Sequence, residues 1–413
     1  MDSSVYKFSN FNREKSGVLR LTLTDFRNYQ FLRINAEPGI IIVHGENGSG
    51  KTNILEAISF LTPGRGLRGA RLADVKRIVI PENDEYRPEI ISPLNWAIAA
   101  EILRGEDTFN IGTAVEQSFK ESADEEDDDL RSFERRIVRI DGNKISSQAE
   151  LGKYISAIWL TPQMDRLFRG GSQPRRSFLD RLVYAFDMEH AKRTANFDHL
   201  YKEWYRLIKP RRGDNHLLSS LEENMASAGV AIAAARREQI ARLNTFIENE
   251  PDDIFPSVRL ELDGIVEKML DSMPAIEAED KYRELLCRQR KKVLYNDSVD
   301  GVNRTDFKVF YRKKKMPAEL CSTGEQKSLL ISIILAQTKC QTLHKGFAPV
   351  LLLDEVAAHL DELKKEALID KIKDLGVQAW ITTTDPELFS SLKGKAQFHQ
   401  TSAVTSDISK LAI

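Results

Sequence analysis

The chain has 413 residues, enough for two or three domains with cores of their own, and at 41% hydrophobic and 30% charged it reads as soluble, globular and charge-rich. Its formal net charge of −2 excludes a strong global attraction to nucleic acid, so any such contact must come from a local basic face. Three cysteines (Cys287, Cys321 and Cys340) without CxxC or histidine spacing suggest neither a disulfide framework nor a zinc site, and they fit a reducing cytoplasm.

The opening segment Met1 to Lys7 lacks the charged and apolar regions of a signal peptide. The longest apolar run, Leu329 to Ala336, is too short to cross a bilayer, so no membrane role is expected. Leu19, Leu21 and Leu23 alternate with polar residues, the pattern of a half-buried strand. Asp25-Phe26-Arg27-Asn28-Tyr29 makes a turn into a second strand, Phe31 to Ile34.

The apolar run Ile40 to Val43 then feeds Gly45-Glu46-Asn47-Gly48-Ser49-Gly50-Lys51-Thr52-Asn53, which fits G-x-x-x-x-G-K-[ST] and opens a helical segment to Phe60. Strand, glycine loop and helix is the setting a phosphate-binding loop needs, because the backbone N–H groups and the helix N-terminus then face the anion. Lys51 would reach the outer phosphates of ATP, and the Thr52 hydroxyl would bind Mg²⁺. A basic glycine-rich loop follows, Pro63 to Arg71, carrying Arg65, Arg68 and Arg71. It reads as a solvated surface loop or as one facing phosphates.

Trp96 to Arg104 and Phe109 to Val115 read as antiparallel strands, and Asp124 to Asp129, six acidic residues in a row, as a solvated loop. Arg135 to Asp141 with Gly142-Asn143 predicts a hairpin, and Ile155 to Leu160 another buried strand before Gln163. From Pro174 the spacing turns helical, breaks at Pro210-Arg211-Arg212-Gly213 and resumes as a long helix from about Leu217 to Asn249. Val258 to Leu262 reads as a strand and Tyr282 to Leu294 as a third helix. Phe307 to Arg312 returns to strand, with Lys313, Lys314 and Lys315 in a basic turn. The helix from Leu329, the strand Val350 to Leu353, a helix to about Leu375 and a last buried strand, Gln378 to Thr382, complete the pattern.

The strand ending in Asp354-Glu355 delivers two carboxylates where ligands of α/β sheets bind. Asp354 would hold Mg²⁺ through water opposite Thr52, and Glu355 would orient or deprotonate an attacking water. Ser322-Thr323-Gly324-Glu325-Gln326 stands at a helix N-terminus, which is an anion-binding end or an ordinary cap.

In the order phosphate loop, Ser-x-Gly-Glu-Gln helix, Asp-Glu strand, the chain resembles the ATP-binding-cassette superfamily. That resemblance implies an α/β ATPase head of mixed sheets with flanking helices, split into residues 1–185 and 301–413 around an inserted helical arm, 186–300. It makes Ser322 to Gln326 a signature acting on a partner's ATP, Asp361 a D-loop residue, and Gln163 a Q-loop ligand of Mg²⁺ and water. Thr384 stands where transporters carry a switch histidine, which points away from transporters and towards the DNA-repair and chromosome-structure branch.

Within that branch, Asp25-Phe26-Arg27-Asn28-Tyr29, the phosphate loop with Asn53, and Arg175-Arg176-Ser177-Phe178-Leu179-Asp180 resemble the RecF family of recombination mediators. The stretch Gly301-Val302-Asn303-Arg304-Thr305-Asp306 departs from that family's motif and keeps only its Gly, Arg and last Asp. The resemblance implies an ATP-dependent homodimer that clamps gapped, single-stranded or junction DNA in the cytoplasm, at the nucleoid. It further implies slow ATP hydrolysis as the release step, and cooperation with RecR and RecO in loading RecA. Candidate DNA contacts are Arg65, Arg68, Arg71, Arg211, Arg212, Lys313, Lys314 and Lys315, with solvated surface charge as the competing reading. The alternatives are an SMC-type chromosome organiser, although it would need far longer arms, or another soluble ATP-binding-cassette ATPase. Whether ATP drives catalytic turnover or serves only as a switch stays open.

Overall fold

In the computed structural model, residues 14–78, 95–120, 131–209, 214–248 and 254–402 are described. The acidic run 124–129 and Arg211 and Arg212 lie outside them. Two compact units emerge, one formed by Met1–Pro162 with Gln341–Ile413 and the other by Gln163–Cys340. The second unit thus takes in residues 163–185 and 301–340 as well as the helical block.

The chain begins with β1 (Ser16–Phe26), β2 (Tyr29–Asn35), β3 (Ile40–His44) and α1 (Lys51–Ser59). It continues through β4 (Ala97–Arg104), β5 (Asp107–Lys120), β6 (Arg131–Ile140), β7 (Asn143–Lys144) and β8 (Ala157–Leu160). Then follow α2 (Ser172–Tyr184), α3 (His190–Ile208), α4 (Asn215–Glu248), β9 (Val258–Asp263), α5 (Ile265–Ser272) and α6 (Ala275–Leu294). The last stretch holds β10 (Asp306–Tyr311), β11 (Met316–Pro317), α7 (Thr323–Lys345), β12 (Val350–Leu353), α8 (Glu362–Leu375), β13 (Ala379–Thr383) and β14 (Gln397–Gln400).

The first unit carries two sheets. An antiparallel one runs β2-β1-β4-β5-β6-β7, and a parallel one runs β14-β3-β13-β12-β8. Strands β3, β12 and β13 are apolar nearly throughout and buried, as strands of a parallel sheet covered on both faces must be. Along the middle of β1, Leu21 and Leu23 are fully buried while Thr22 and Thr24 between and after them are not, so that sheet keeps a wetter face. This is the mixed α/β head expected from the sequence. Strand β14 departs from the expectation that the last strand ends near Thr382, because an edge strand reading Gln-Phe-His-Gln shows no apolar run.

The second unit packs α3, α4 and α6 around Trp204, Tyr282, Phe197 and Met225. Gly229 lets α4 approach closely, since a Cβ there would lie 2.5 Å from Tyr282 and 3.4 Å from Phe197. Glu222 is buried in this core, accepting from Trp204 Nε1 at 2.8 Å and paired with Arg290 at 2.6 Å. Helix α5 has no counterpart among the elements expected from the sequence, because a helix of eight residues is too short to establish a period. Strands β9, β10 and β11 form a small antiparallel sheet. Among the described residues, no helix is long and apolar enough to cross a membrane.

Candidate phosphate-binding site

The glycine loop joins β3 to α1, and its backbone explains its composition. Gly45, Gly48 and Gly50 have φ of 152°, 81° and 98°, a region that L side chains avoid. At Gly50 a Cβ would also run into Asn28 and Tyr29, and at Gly45 into Thr401. Glu46, Asn47 and Gly48 are exposed, whereas Ser49, Gly50 and Lys51 are buried. The Lys51 ammonium donates to the carbonyls of Gly45 and Glu46, both at 2.8 Å. Burial makes it less basic than a free lysine, with Glu355 and Asp354 pulling the other way.

Two strands away, β12 brings Asp354 to the same loop. Its N–H donates to Leu160 at 2.9 Å, so the parallel pairing with β8 runs up to the carboxylate. Thr52 Oγ1 donates to Asp354 Oδ1 at 2.9 Å, and Thr382 Oγ1, at the end of β13, donates to the same oxygen at 2.7 Å. Thr382 in turn accepts from Glu355 N at 2.9 Å, fixing Glu355 at φ 51°, a conformation rare for a residue with a side chain. The Glu355 carboxylate makes no hydrogen bond to any described residue. The hydroxyl and carboxylate oxygens of Thr52 and Asp354 form a hard-oxygen pair of the kind that Mg²⁺ takes.

Thr382 was not singled out in the sequence. Its replacement by valine should cost about 1–3 kcal/mol in urea unfolding, because the buried Asp354 loses a donor that an isosteric methyl cannot supply. Serine at this position should restore most of the loss. Equal stability of the valine variant would remove Thr382 from the support of Asp354.

The turn between β1 and β2 braces the loop from the other side. Asn28 Nδ2 and Tyr29 Oη both reach Ser49 O at 3.3 Å, and Asn53 Nδ2 donates to Asn28 at 2.7 Å. Burial pushes the Tyr29 phenol above its ordinary value, with Asn28 opposing, so it remains a donor. Thr401, just beyond β14, approaches Ser49 Oγ at 2.6 Å. Glu56 of α1, fully buried, is held by Arg27 at 2.6 Å and Arg68 at 2.8 Å. Arg68 also donates to Asn53 at 2.7 Å, so this candidate DNA contact is engaged beside the phosphate loop. Arg65 and Arg71 are exposed and line a groove of about 970 Å³ with Arg135, Arg136 and Lys144.

The remaining candidates are placed as follows. Asp361 caps α8, accepting from Lys364 N at 2.9 Å, and that bond holds its carboxyl below the usual range. Thr384 is exposed. In the second unit, Gln163 is exposed in a short turn, Pro162–Arg166. Ser322, Thr323 and Gly324 are exposed at the start of α7, Glu325 is half-buried and Gln326 is buried. Lys314 pairs with Glu325, while Lys313 and Lys315 are exposed and make no ion pair among the described residues.

The two segments 175–180 and 301–306 meet, since Arg175 grips Asp306 with bonds of 2.8 and 3.0 Å. Burial alone would raise Asp180, but His190 and the two-pronged Arg236 hold it below its ordinary value. The departure at residues 301–306 therefore leaves the Asp306 contact in place.

A family model described as an AAA domain matches residues 20–158. The DNA replication and repair protein RecF of Rhizobium rhizogenes is 42% identical over 383 residues, 92% of this chain and 96% of the relative. That of Mesorhizobium japonicum is 40% identical, over 92% of this chain and 95% of the relative. A solved structure of the recombination mediator protein RecF with ATPrS, 18% identical, superposes with a TM-score of 0.75 over 91% of this chain and 94% of that one. A second, of RecF with ATP, 20% identical, gives 0.70 over 90% and 94%. These two show the shared fold. By its sequence relatives, the chain belongs to the family of the DNA replication and repair protein RecF.

Proposed function

We propose that this chain is an ATP-dependent DNA-binding protein of recombinational repair and replication restart, with hydrolysis as its release step. The observation that carries the reading is the Thr52–Asp354 contact at 2.9 Å beside the buried Lys51, on a loop whose glycines leave backbone N–H groups for phosphate. These residues fit a nucleoside triphosphate with Mg²⁺. Gly45 to Asn53 would cradle the phosphates, Lys51 would bind the outer ones, and Thr52 and Asp354 would hold the metal. Bound ATP supplies the phosphoanhydride whose cleavage resets the switch. Glu355 would orient or deprotonate water, and Asp361 would serve the D-loop.

Gly324 supports a site shared between two copies. Among the described residues a Cβ there would meet nothing within 4 Å, so their packing does not call for glycine. Glycine inside a helix costs roughly 0.5–1 kcal/mol relative to alanine, and close approach from outside is a reason to carry it. Ser322 to Gln326 of one copy would close over the ATP of another, making the head-to-head dimer nucleotide-dependent. Such a dimer would clamp gapped or junction DNA, work with RecR and RecO, and assist RecA at the nucleoid. Exposed Arg65, Arg71, Lys313 and Lys315 are the contacts best free to meet phosphates; Arg211 and Arg212 are candidates by sequence alone.

The test is fluorescence anisotropy of a labelled gapped duplex at fixed salt, with ATP and Mg²⁺, with ADP, and without nucleotide. Tight binding with ATP alone is expected. Binding indifferent to nucleotide would sink the clamp.

A further inference from the structure

The start of α7 closes a capping box. Ser322 N donates to Glu325 Oε2 at 2.9 Å, and Glu325 N donates to Ser322 Oγ at 3.3 Å. Because the serine oxygen is the acceptor here, its own hydrogen is left to donate elsewhere. The N–H groups of Thr323 and Gly324 belong to the first helical turn and have no acceptor within the helix. The Ser322 hydroxyl and these two N–H groups therefore lie at one exposed helix end, and the same box places a carboxylate beside them.

That carboxylate stays ionised. Lys314, in the turn between β10 and β11, donates to Glu325 Oε1, and with the bonds from Ser322 this holds the Glu325 carboxyl down at about 2. The pairing raises Lys314 above the ordinary lysine value. The ammonium also lies 5.5 Å from the centre of the Tyr311 ring, on the strand leading into the turn. An ionised glutamate favours a helix N-terminus, yet it repels any further anion brought to that end.

We infer that Lys314 is a positioning residue for the nucleotide reaction: by neutralising Glu325 from outside the helix, it lets the N-terminus of α7 receive the terminal phosphate of a nucleotide held by a second copy of the chain. The inference rests on the shared-site reading above. It also removes Lys314 from the DNA contacts, since its charge is already committed. The capping box needs only an acceptor at residue 325, which glutamine supplies as well as glutamate. The charge of Glu325, and not its hydrogen bond, is what Lys314 has to offset.

The experiment compares self-association of the full chain with ATP and Mg²⁺ by analytical ultracentrifugation, for wild type, Lys314→Ala, Lys314→Arg and the double variant Lys314→Ala with Glu325→Gln. An uncompensated carboxylate a few ångströms from an incoming phosphate should weaken nucleotide-dependent association about tenfold in Lys314→Ala. Arginine should retain association, and the double variant should regain it with no charge at either position. A purely structural role for the ion pair would leave the double variant as weak as the single one, and that result overturns the inference. So does Lys314→Ala associating like wild type. A wild-type chain that stays monomeric with ATP overturns the shared-site reading itself, and the inference with it.

Discussion

Replacing Lys51 with methionine should lower the affinity for ATP about a hundredfold or more while leaving the fold intact. Two charge-assisted contacts to phosphate contribute about 1.5–3 kcal/mol each, and about 1.4 kcal/mol is a tenfold change in affinity. Methionine retains the buried stem, for Lys51 is only 4% exposed, and it removes the ammonium that bridges Gly45 and Glu46. Isothermal titration with ATP and Mg²⁺, set beside a thermal melt, separates lost binding from lost structure. Unchanged affinity would mean that the loop holds no phosphate. Lost affinity with a collapsed melt would mean that the lysine's two carbonyl bonds hold the loop itself together.

Glu355→Gln should act at a different step. Glutamine keeps the size of the side chain and cannot take a proton, so single-turnover hydrolysis should slow by about 10²- to 10⁴-fold with ATP affinity retained. Because the backbone N–H of Glu355, not its carboxylate, bonds Thr382, the substitution leaves the αL conformation and the Asp354 cluster undisturbed. ATP-bound dimers should then outlast those of the wild type on a sizing column. A variant that turns over ATP at the wild-type rate would deny Glu355 its catalytic role, and one that dissociates at the usual rate would uncouple hydrolysis from release.

The parts of the site readable from sequence share one property: their residues are contiguous. Glycines at positive φ, a lysine and a threonine at fixed spacing make a tight loop ahead of a helix by local covalent geometry, and a strand of Val-Leu-Leu-Leu announces its own burial. Helical period likewise exposed α4 and α6, whereas the eight-residue α5 and the polar edge strand β14 offered too little pattern. Charge was the least legible property. Arg65, Arg68 and Lys314 look alike along the chain, yet Arg68 is bound to Glu56 and Lys314 to Glu325, while Arg65 faces a groove.

The sequence by itself determined the glycine loop between a strand and a helix, the Asp354-Glu355 strand end, the alternation of strands and helices, and through them the family. The tertiary structure alone decided which distant side chains serve the loop. Placing β3, β13 and β12 side by side brings Thr382 and Thr52 onto one carboxylate, though 28 and 302 residues separate them from Asp354. The same sheet sets Thr401 against Ser49, and the turn after β1 sets Asn28 and Tyr29 beneath Gly50. Periodicity reports which face of a strand is buried. Which strand lies next to it depends on how the whole sheet is wound, and that order sets the partner of every hydroxyl at its end.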